Sequence, residues 1–180
     1  HAGSKNFGTC LQSVLISMGA TDPKNMTLPL TNFILHEKHE LKLTVLIGHN
    51  TKITHALNQL SRQFQLLDIR GPVSNMAQML WGHDVVICSG GVTLHETISV
   101  GTPAFVINQV EHQQTKARFV EKSGAAINLG MGIQYDVEKL REALNLKKHV
   151  LELMSLKAKQ LIDGRGLYRI IDAMNTLMKL

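Results

Sequence analysis

Val85-Val86-Ile87-Cys88-Ser89-Gly90-Gly91-Val92-Thr93-Leu94-His95-Glu96 runs from four apolar residues through two glycines into a stretch that opens a helix. Four apolar residues in succession suit a strand buried on both faces, and such strands belong in parallel sheets covered by helices. The same theme recurs outward in both directions. Short runs end at Gly, Ser or Asn and are followed by longer amphipathic stretches: Val14-Leu15-Ile16, Leu43-Thr44-Val45-Leu46-Ile47, Gln65-Leu66-Leu67-Asp68-Ile69, Ala104-Phe105-Val106-Ile107 and Ala125-Ala126-Ile127-Asn128. Helical spacing lies between them, as at Ile53, Leu57 and Leu60, at Met76, Met79 and Leu80, and at Phe119 and Val120. The predicted fold is α/β, a Rossmann-like open parallel sheet of about six strands with helices on both faces. Beyond Tyr135 the pattern turns helical, over 137–144, 147–161 and 168–180.

With 180 residues and 44% apolar content, the chain suits one domain over 1–180 with a core that needs no staples. No linker, repeat or low-complexity tract divides it. No apolar run reaches the length of a membrane span, and no charged-then-apolar leader opens the chain, so a cytoplasmic protein without an integral membrane segment is expected. Two cysteines are too few for a disulfide framework. The charge of +5 favours an anionic ligand, but the basic residues are scattered and aromatics are few, so nucleic acid is not the expected partner. A compact phosphate-bearing ligand fits better.

Ligands of open parallel sheets bind outside the carboxyl ends of the strands, which directs attention to three loops. In Ser17-Met18-Gly19-Ala20-Thr21-Asp22-Pro23-Lys24-Asn25, Gly19 permits a positive φ or close backbone approach, while Thr21 to Pro23 are helix-start residues. A helix start with free N–H groups would bind phosphate there. The loop matches neither G-x-G-x-x-G nor a Walker A pattern, so an ordinary capped turn explains it as well.

Ser89-Gly90-Gly91-Val92-Thr93 leaves bare backbone where a helix begins, and the helix dipole attracts an anion lying on those N–H groups. Glu96, one turn in, can accept hydrogen bonds from two ribose hydroxyls, or can merely favour the dipole. The third loop, Asn108-Gln109-Val110-Glu111-His112-Gln113-Gln114, groups amides that can read sugar hydroxyls, or is simply a polar solvated turn.

Nine histidines raise a metal hypothesis, yet the only close pair is His36 and His39, which at helical spacing lacks a third ligand, so no metal or other cofactor is expected. Ser89 lies outside any G-x-S-x-G elbow, and no catalytic nucleophile or base is assigned; His95 and His112 in the loops are not chosen as the base. Met76, Met79, Met154, Met174 and Met178 fall at helical spacing and read as core; any left exposed would mark a seam with a missing half.

Val14 to Asn25 resembles the corresponding loop of the UDP-sugar hydrolases of the pseudaminic-acid pathway and their relatives in spore-coat polysaccharide synthesis. Asp84 to Glu96, with Gly101-Thr102-Pro103, is similar to the pyrophosphate and ribose segment shared with the peptidoglycan N-acetylglucosaminyltransferases. Asp163-Gly164-Arg165-Gly166 with Arg169 resembles a closing motif of the hydrolases. Ala20 and Lys116 depart from that pattern, where glycine and asparagine are common.

The resemblance implies the carboxyl-terminal half of a two-domain GT-B protein, with an amino-terminal half outside this sequence that supplies the catalytic histidine. It implies UDP or a UDP-sugar as ligand: diphosphate near Gly19, Thr21, Ser89, Gly90, Gly91 and Thr93, ribose on Glu96, sugar at Gln113, and uracil against the backbone of Pro72 and Val73. Hydrolysis at the anomeric carbon is the activity it implies for the parent. The alternatives are the donor domain of a glycosyltransferase and a non-catalytic binding subunit.

Overall fold

The computed structural model describes residues 5–48 and 51–178. Six parallel strands, β1 (Ser13–Ser17), β2 (Lys42–Leu46), β3 (Leu67–Arg70), β4 (Val85–Cys88), β5 (Ala104–Asn108) and β6 (Ala126–Met131), form one sheet in the order β3-β2-β1-β4-β5-β6. Every neighbouring pair is parallel, with Ile16 beside Val45 on one side and Ile87 on the other.

Alternation along each strand sends side chains to two separate cores. Val14, Ile16, Val85, Ile87, Phe105 and Ile107 face one way, against α1 (Thr27–Glu37), α2 (Thr51–Ser61) and α6 (Val137–Ala143). Leu15, Val86, Cys88, Ala104 and Val106 face the other, against α3 (Met76–Trp81), α4 (Val92–Ser99) and α5 (Glu111–Lys122). The helix α7 (Lys148–Leu161) closes the bottom of both, through Leu151 and Met154 on one and Ala158 on the other. Each fully buried Leu, Ile or Phe contributes about 1.5–3 kcal/mol, so the continuous apolar runs of β1 and β4 hold the centre of the sheet.

The strand order runs outward from β1 to β3 on one side and from β4 to β6 on the other, with α1 and α2 on one face and α4 and α5 on the opposite one, so the winding reverses between β1 and β4. A crevice opens at that point because the loops after the two strands diverge. The edge strand β3 departs from the expectation of buried strands. It begins two residues later than the apolar run, because Gln65 and Leu66 lie in the turn after α2, and its outer residues are partly exposed.

The loop after β1 corrects a second expectation. The helix does not begin at Asp22 or Pro23: Asp22, Pro23, Lys24 and Asn25 make a turn closed by Asn25 N donating to Asp22 O at 2.8 Å, and α1 starts at Thr27. The Asp22 carboxylate, buried, accepts from Met26 N at 2.9 Å and Thr27 N at 2.8 Å. Those N–H groups are therefore not free for a phosphate, and the capped-turn reading describes this helix start. Asp22→Ala removes both bonds and is expected to cost about 1–2 kcal/mol. At about 2–4 °C per kcal/mol for a domain of this size, a thermal melt should fall by roughly 2–8 °C.

The chain before β1 runs beneath the sheet, where Lys5 donates to Trp81 O at 2.7 Å, His83 O and Thr102 Oγ1 at 3.0 Å. Burial pushes the Lys5 ammonium down to about 8. The last helix, α8 (Gly166–Leu177), follows a turn in which Asp163 accepts from Arg165 N at 2.9 Å and from both Arg169 Nη atoms at 2.7 and 3.0 Å. That fork holds the Asp163 carboxyl well below the usual carboxylate range. No residue of α8 is buried.

Leu167, Ile170, Ile171, Met174 and Leu177 of α8 form one stripe with Met178, the residue that caps it, at exposures from 45% at Ile171 to 75% at Met178. Met154 is core as expected, whereas Met174 and Met178 are not. Lys179 and Leu180 of the expected last helix lie outside the described residues. Among the described residues, no helix is long and apolar enough to cross a membrane.

Candidate functional site

A cleft of about 330 Å³ lies at the winding reversal, over the carboxyl ends of β1, β2 and β3 and against the start of α4. Its walls come from Ser17, Gly19 and Ala20 after β1, Leu46, Ile47 and Gly48 at β2, Gly71 to Val73 after β3, Met76 of α3, and Thr93 and Glu96 of α4. One wall is thus largely apolar, and the other carries a hydroxyl and a carboxylate.

Two glycines shape the floor. Gly19 has φ +91° with open space around it, a conformation that side chains rarely adopt. Gly48 is there for contact: a Cβ on it would lie 2.0 Å from Ala20 O. Nothing local in the chain marks Gly48, because the approach joins the separate loops after β1 and β2.

The start of α4 is bare. Gly91 is the N-cap and offers no side chain to cap the first turn. The eight-residue helix therefore begins with backbone N–H groups that no side chain caps, at the positive end of its dipole, and Thr93 and Glu96 are its residues on the cleft wall. Glu96 is exposed on the next turn, and neither its carboxylate nor Thr93 Oγ1 is bonded to another protein group among the described residues. An anion on the N–H groups with a diol on Glu96 is what this arrangement can hold.

Of the residues expected from the sequence, Gly19, Val73, Thr93 and Glu96 line this cleft together. Thr21 does not; it is exposed in the turn beyond. Ser89 and Gly90 are buried behind the cleft, and Gly90 is packed: a Cβ there would lie 2.4 Å from Asn108 Oδ1 and 2.9 Å from Gln113 O. Gly91 is half-buried at the α4 start. Gln113 sits beside these glycines, with its Oε1 accepting from Gln109 N at 2.8 Å. Asp84, at the head of the segment likened to a pyrophosphate site, lies at the opposite end of β4, where Oδ2 accepts from Gln12 N and Ser13 N at 2.9 Å each.

His36 and His39 do not share a helix, since α1 ends at Glu37, and His36 Nδ1 lies 2.7 Å from Asn32 O. Among the described residues, no three His, Cys, Asp or Glu side chains stand close enough to share a metal ion. Burial pushes the Cys88 thiol, beneath Ser89, up to about 12, so it stays protonated and inert. A larger hollow, about 700 Å³, opens at the other end of the sheet beside Cys10, His39 and Leu144, away from every one of these loops.

An open, doubly wound parallel sheet with its cleft at the reversal of strand order defines a Rossmann-like α/β domain, of the kind that forms one half of GT-B glycosyltransferases. The glycosyltransferase family 28 C-terminal domain matches residues 14–172, and the chain belongs to that family.

The spore coat polysaccharide biosynthesis protein SpsG of Bacillus subtilis is 26% identical over 175 residues, which cover 92% of this chain and 50% of that protein. A UDP-N-acetylglucosamine--N-acetylmuramyl-(pentapeptide) pyrophosphoryl-undecaprenol N-acetylglucosamine transferase of Mannheimia succiniciproducens is 30% identical over 153 residues, 82% of this chain and 43% of that enzyme. The crystal structure of Acinetobacter baumannii MurG superposes with a TM-score of 0.69 at 20% identity, covering 95% of this chain and 51% of that one. The chain thus spans half or less of the length of these curated relatives. The family is one of transferases, and the hydrolase expectation draws no support from these likenesses.

Proposed function

We propose that this domain binds a UDP-sugar and serves as the donor half of a glycosyltransferase in surface-polysaccharide synthesis, which passes the sugar to an acceptor. The observation that carries the reading is the cleft in which Gly19 meets Thr93 and Glu96, on the helix whose start is uncapped, and an apolar wall at Val73 and Met76. The diphosphate lies on the α4 N–H groups, with charge-assisted hydrogen bonds of about 1.5–3 kcal/mol each replacing a metal. Glu96 accepts the ribose hydroxyls, and the base lies against Pro72, Val73 and Met76. The Mannheimia relative, whose name specifies a UDP-N-acetylglucosamine donor, supports UDP as the nucleotide.

The acceptor and the group that activates it belong to the other half of the parent. The exposed stripe of α8, with Met174 and Met178, is the seam against that half. Transfer is preferred to hydrolysis because the family match is to transferases.

Product analysis of the parent protein tests this. Release of UDP should require an acceptor and yield a glycosylated product. Free reducing sugar formed at the same rate without acceptor would overturn transfer in favour of hydrolysis.

A further inference from the structure

Gln109, the first residue after β5, is 2% exposed and touches the cleft only through other groups. Its Nε2 donates to Met18 O at 2.6 Å, and its Oε1 accepts from Lys24 N at 3.0 Å. Both partners are backbone groups of the loop that carries Gly19 and Ala20, so one amide side chain grips that loop at its two ends. The two contacts fix the orientation of the amide, since only oxygen can accept from an N–H and only nitrogen can donate to a carbonyl.

The backbone of the same residue orients a second amide. Gln109 N donates to Gln113 Oε1 at 2.8 Å, which leaves Gln113 Nε2 on the far side. That nitrogen lies 3.6 Å from the place a Cβ on Gly91 would take, and its N–H groups take no acceptor among the described residues. One residue thus links the Gly19 loop to the Gly90-Gly91 turn, the two backbone segments on either side of the winding reversal.

We propose that Gln109 is a positioning residue for the nucleotide-sugar site: its side chain fixes the Gly19 loop, and its N–H aims the donors of Gln113 at the Gly91 turn. The inference rests on the donor-site reading above and assigns a cause to its geometry. The loop needs such a clamp. Asp22 and Asn25 both hold positive φ, at 38° and 51°, and Gly19 stands in open space; the bonds of Asp22 secure the turn toward α1, and the Gln109 amide ties the loop to the end of β5.

The test compares the chain with Gln109→Met, Gln109→Glu and, as a control, Ser155→Ala. Ser155 Oγ donates to Gly101 O at 2.6 Å, a buried bond outside the cleft, so the control lowers stability without touching the clamp. Three quantities are read: melting temperature, hydrogen exchange of the amides from Gly19 to Met26, and UDP affinity by calorimetry.

Gln109→Met should speed exchange at Lys24 and weaken UDP binding by on the order of tenfold, as when the binding-competent loop falls to about a tenth of the population. Gln109→Glu keeps an acceptor for Lys24 N but sets a second acceptor against Met18 O, so it too should loosen the loop, speed exchange at Lys24 and weaken UDP binding. Ser155→Ala should lower the melt with exchange of the loop and UDP affinity unchanged.

Unchanged exchange and affinity in Gln109→Met, or an equal loss of affinity in Ser155→Ala, would overturn the positioning role. Should Gln109→Met fail to fold, Gln109→Glu carries the comparison, and unchanged exchange at Lys24 with unchanged UDP affinity in it would overturn the clamp. If the parent chain itself does not bind UDP, the donor-site reading fails, and exchange at Lys24 still decides the clamp by itself.

Discussion

Glu96→Ala is expected to weaken UDP binding by about 10- to 150-fold while leaving the fold intact, since losing a charged acceptor of ribose hydroxyls costs roughly 1.5–3 kcal/mol. The separation between binding and stability follows from where the carboxylate stands. Glu96 is exposed on α4, and the anchors of that helix are Leu94, Thr97 and Ile98. Substitutions at such surface positions usually stay within about 0.5 kcal/mol in stability. Uridine, which has the ribose but no phosphate, should lose affinity by a similar factor. Equal UDP affinity in the Glu96→Ala variant and the parent chain, measured by calorimetry, would remove the ribose assignment.

Gly48→Val is expected to abolish measurable UDP binding and to lower the melting temperature. A Cβ at residue 48 would lie 2.0 Å from Ala20 O and 2.8 Å from Ala20 C. Both atoms are backbone, so no side-chain rotation relieves the clash, and the loops after β1 and β2 must move apart. Overpacking of this kind typically costs about 1–3 kcal/mol, which corresponds to a fall of roughly 2–12 °C here. Gly71, which also lines the cleft, offers a contrast, because nothing lies within 4 Å of the Cβ it would gain. Gly71→Ala should melt with the parent chain. A Gly48→Val chain that melts like the parent and binds UDP equally would mean that the two loops do not depend on their close approach.

The architecture was legible wherever apolar runs were unbroken. Val85 to Cys88 and Ala104 to Ile107 are buried on both faces, so periodicity, length and burial agree, and their strands fall where the runs do. The edge strand was harder to place, because Leu66 is 44% exposed and its hydrophobicity reports a turn. Asp22 reads as a helix-start residue, but its carboxylate caps a helix that begins five residues later, after a turn with positive φ at Asp22 and Asn25 that the residue types do not announce. The spacing over 168–180 predicts α8, and it makes Met174 and Met178 read as core; the helix is there, but none of its residues is buried among the described residues.

Within the site, glycines were visible as a pattern and not as separate roles. Gly90 and Gly91 adjoin in sequence, yet Gly90 is packed under Asn108 and Gln113 while Gly91 opens the helix. What sorts them is contact across the sheet. The same holds for Gln109, whose partners Met18 and Lys24 lie 91 and 85 positions away in the chain. Contacts at that separation leave no mark in periodicity or local propensity, so a single sequence points to the loops and not to what holds them.

Amide NMR of the uniformly labelled chain, titrated with UDP, tests the central claim most directly. Shifts are expected at Gly19, Val73, Gly91, Val92, Thr93 and Glu96, with uridine moving Val73 and Glu96 and leaving Gly91 and Val92 nearly still. Shifts confined to the opposite end of the sheet, around Cys10, His39 and Leu144, or none at Gly91 and Val92 under saturating UDP, would contradict a diphosphate held on the start of α4.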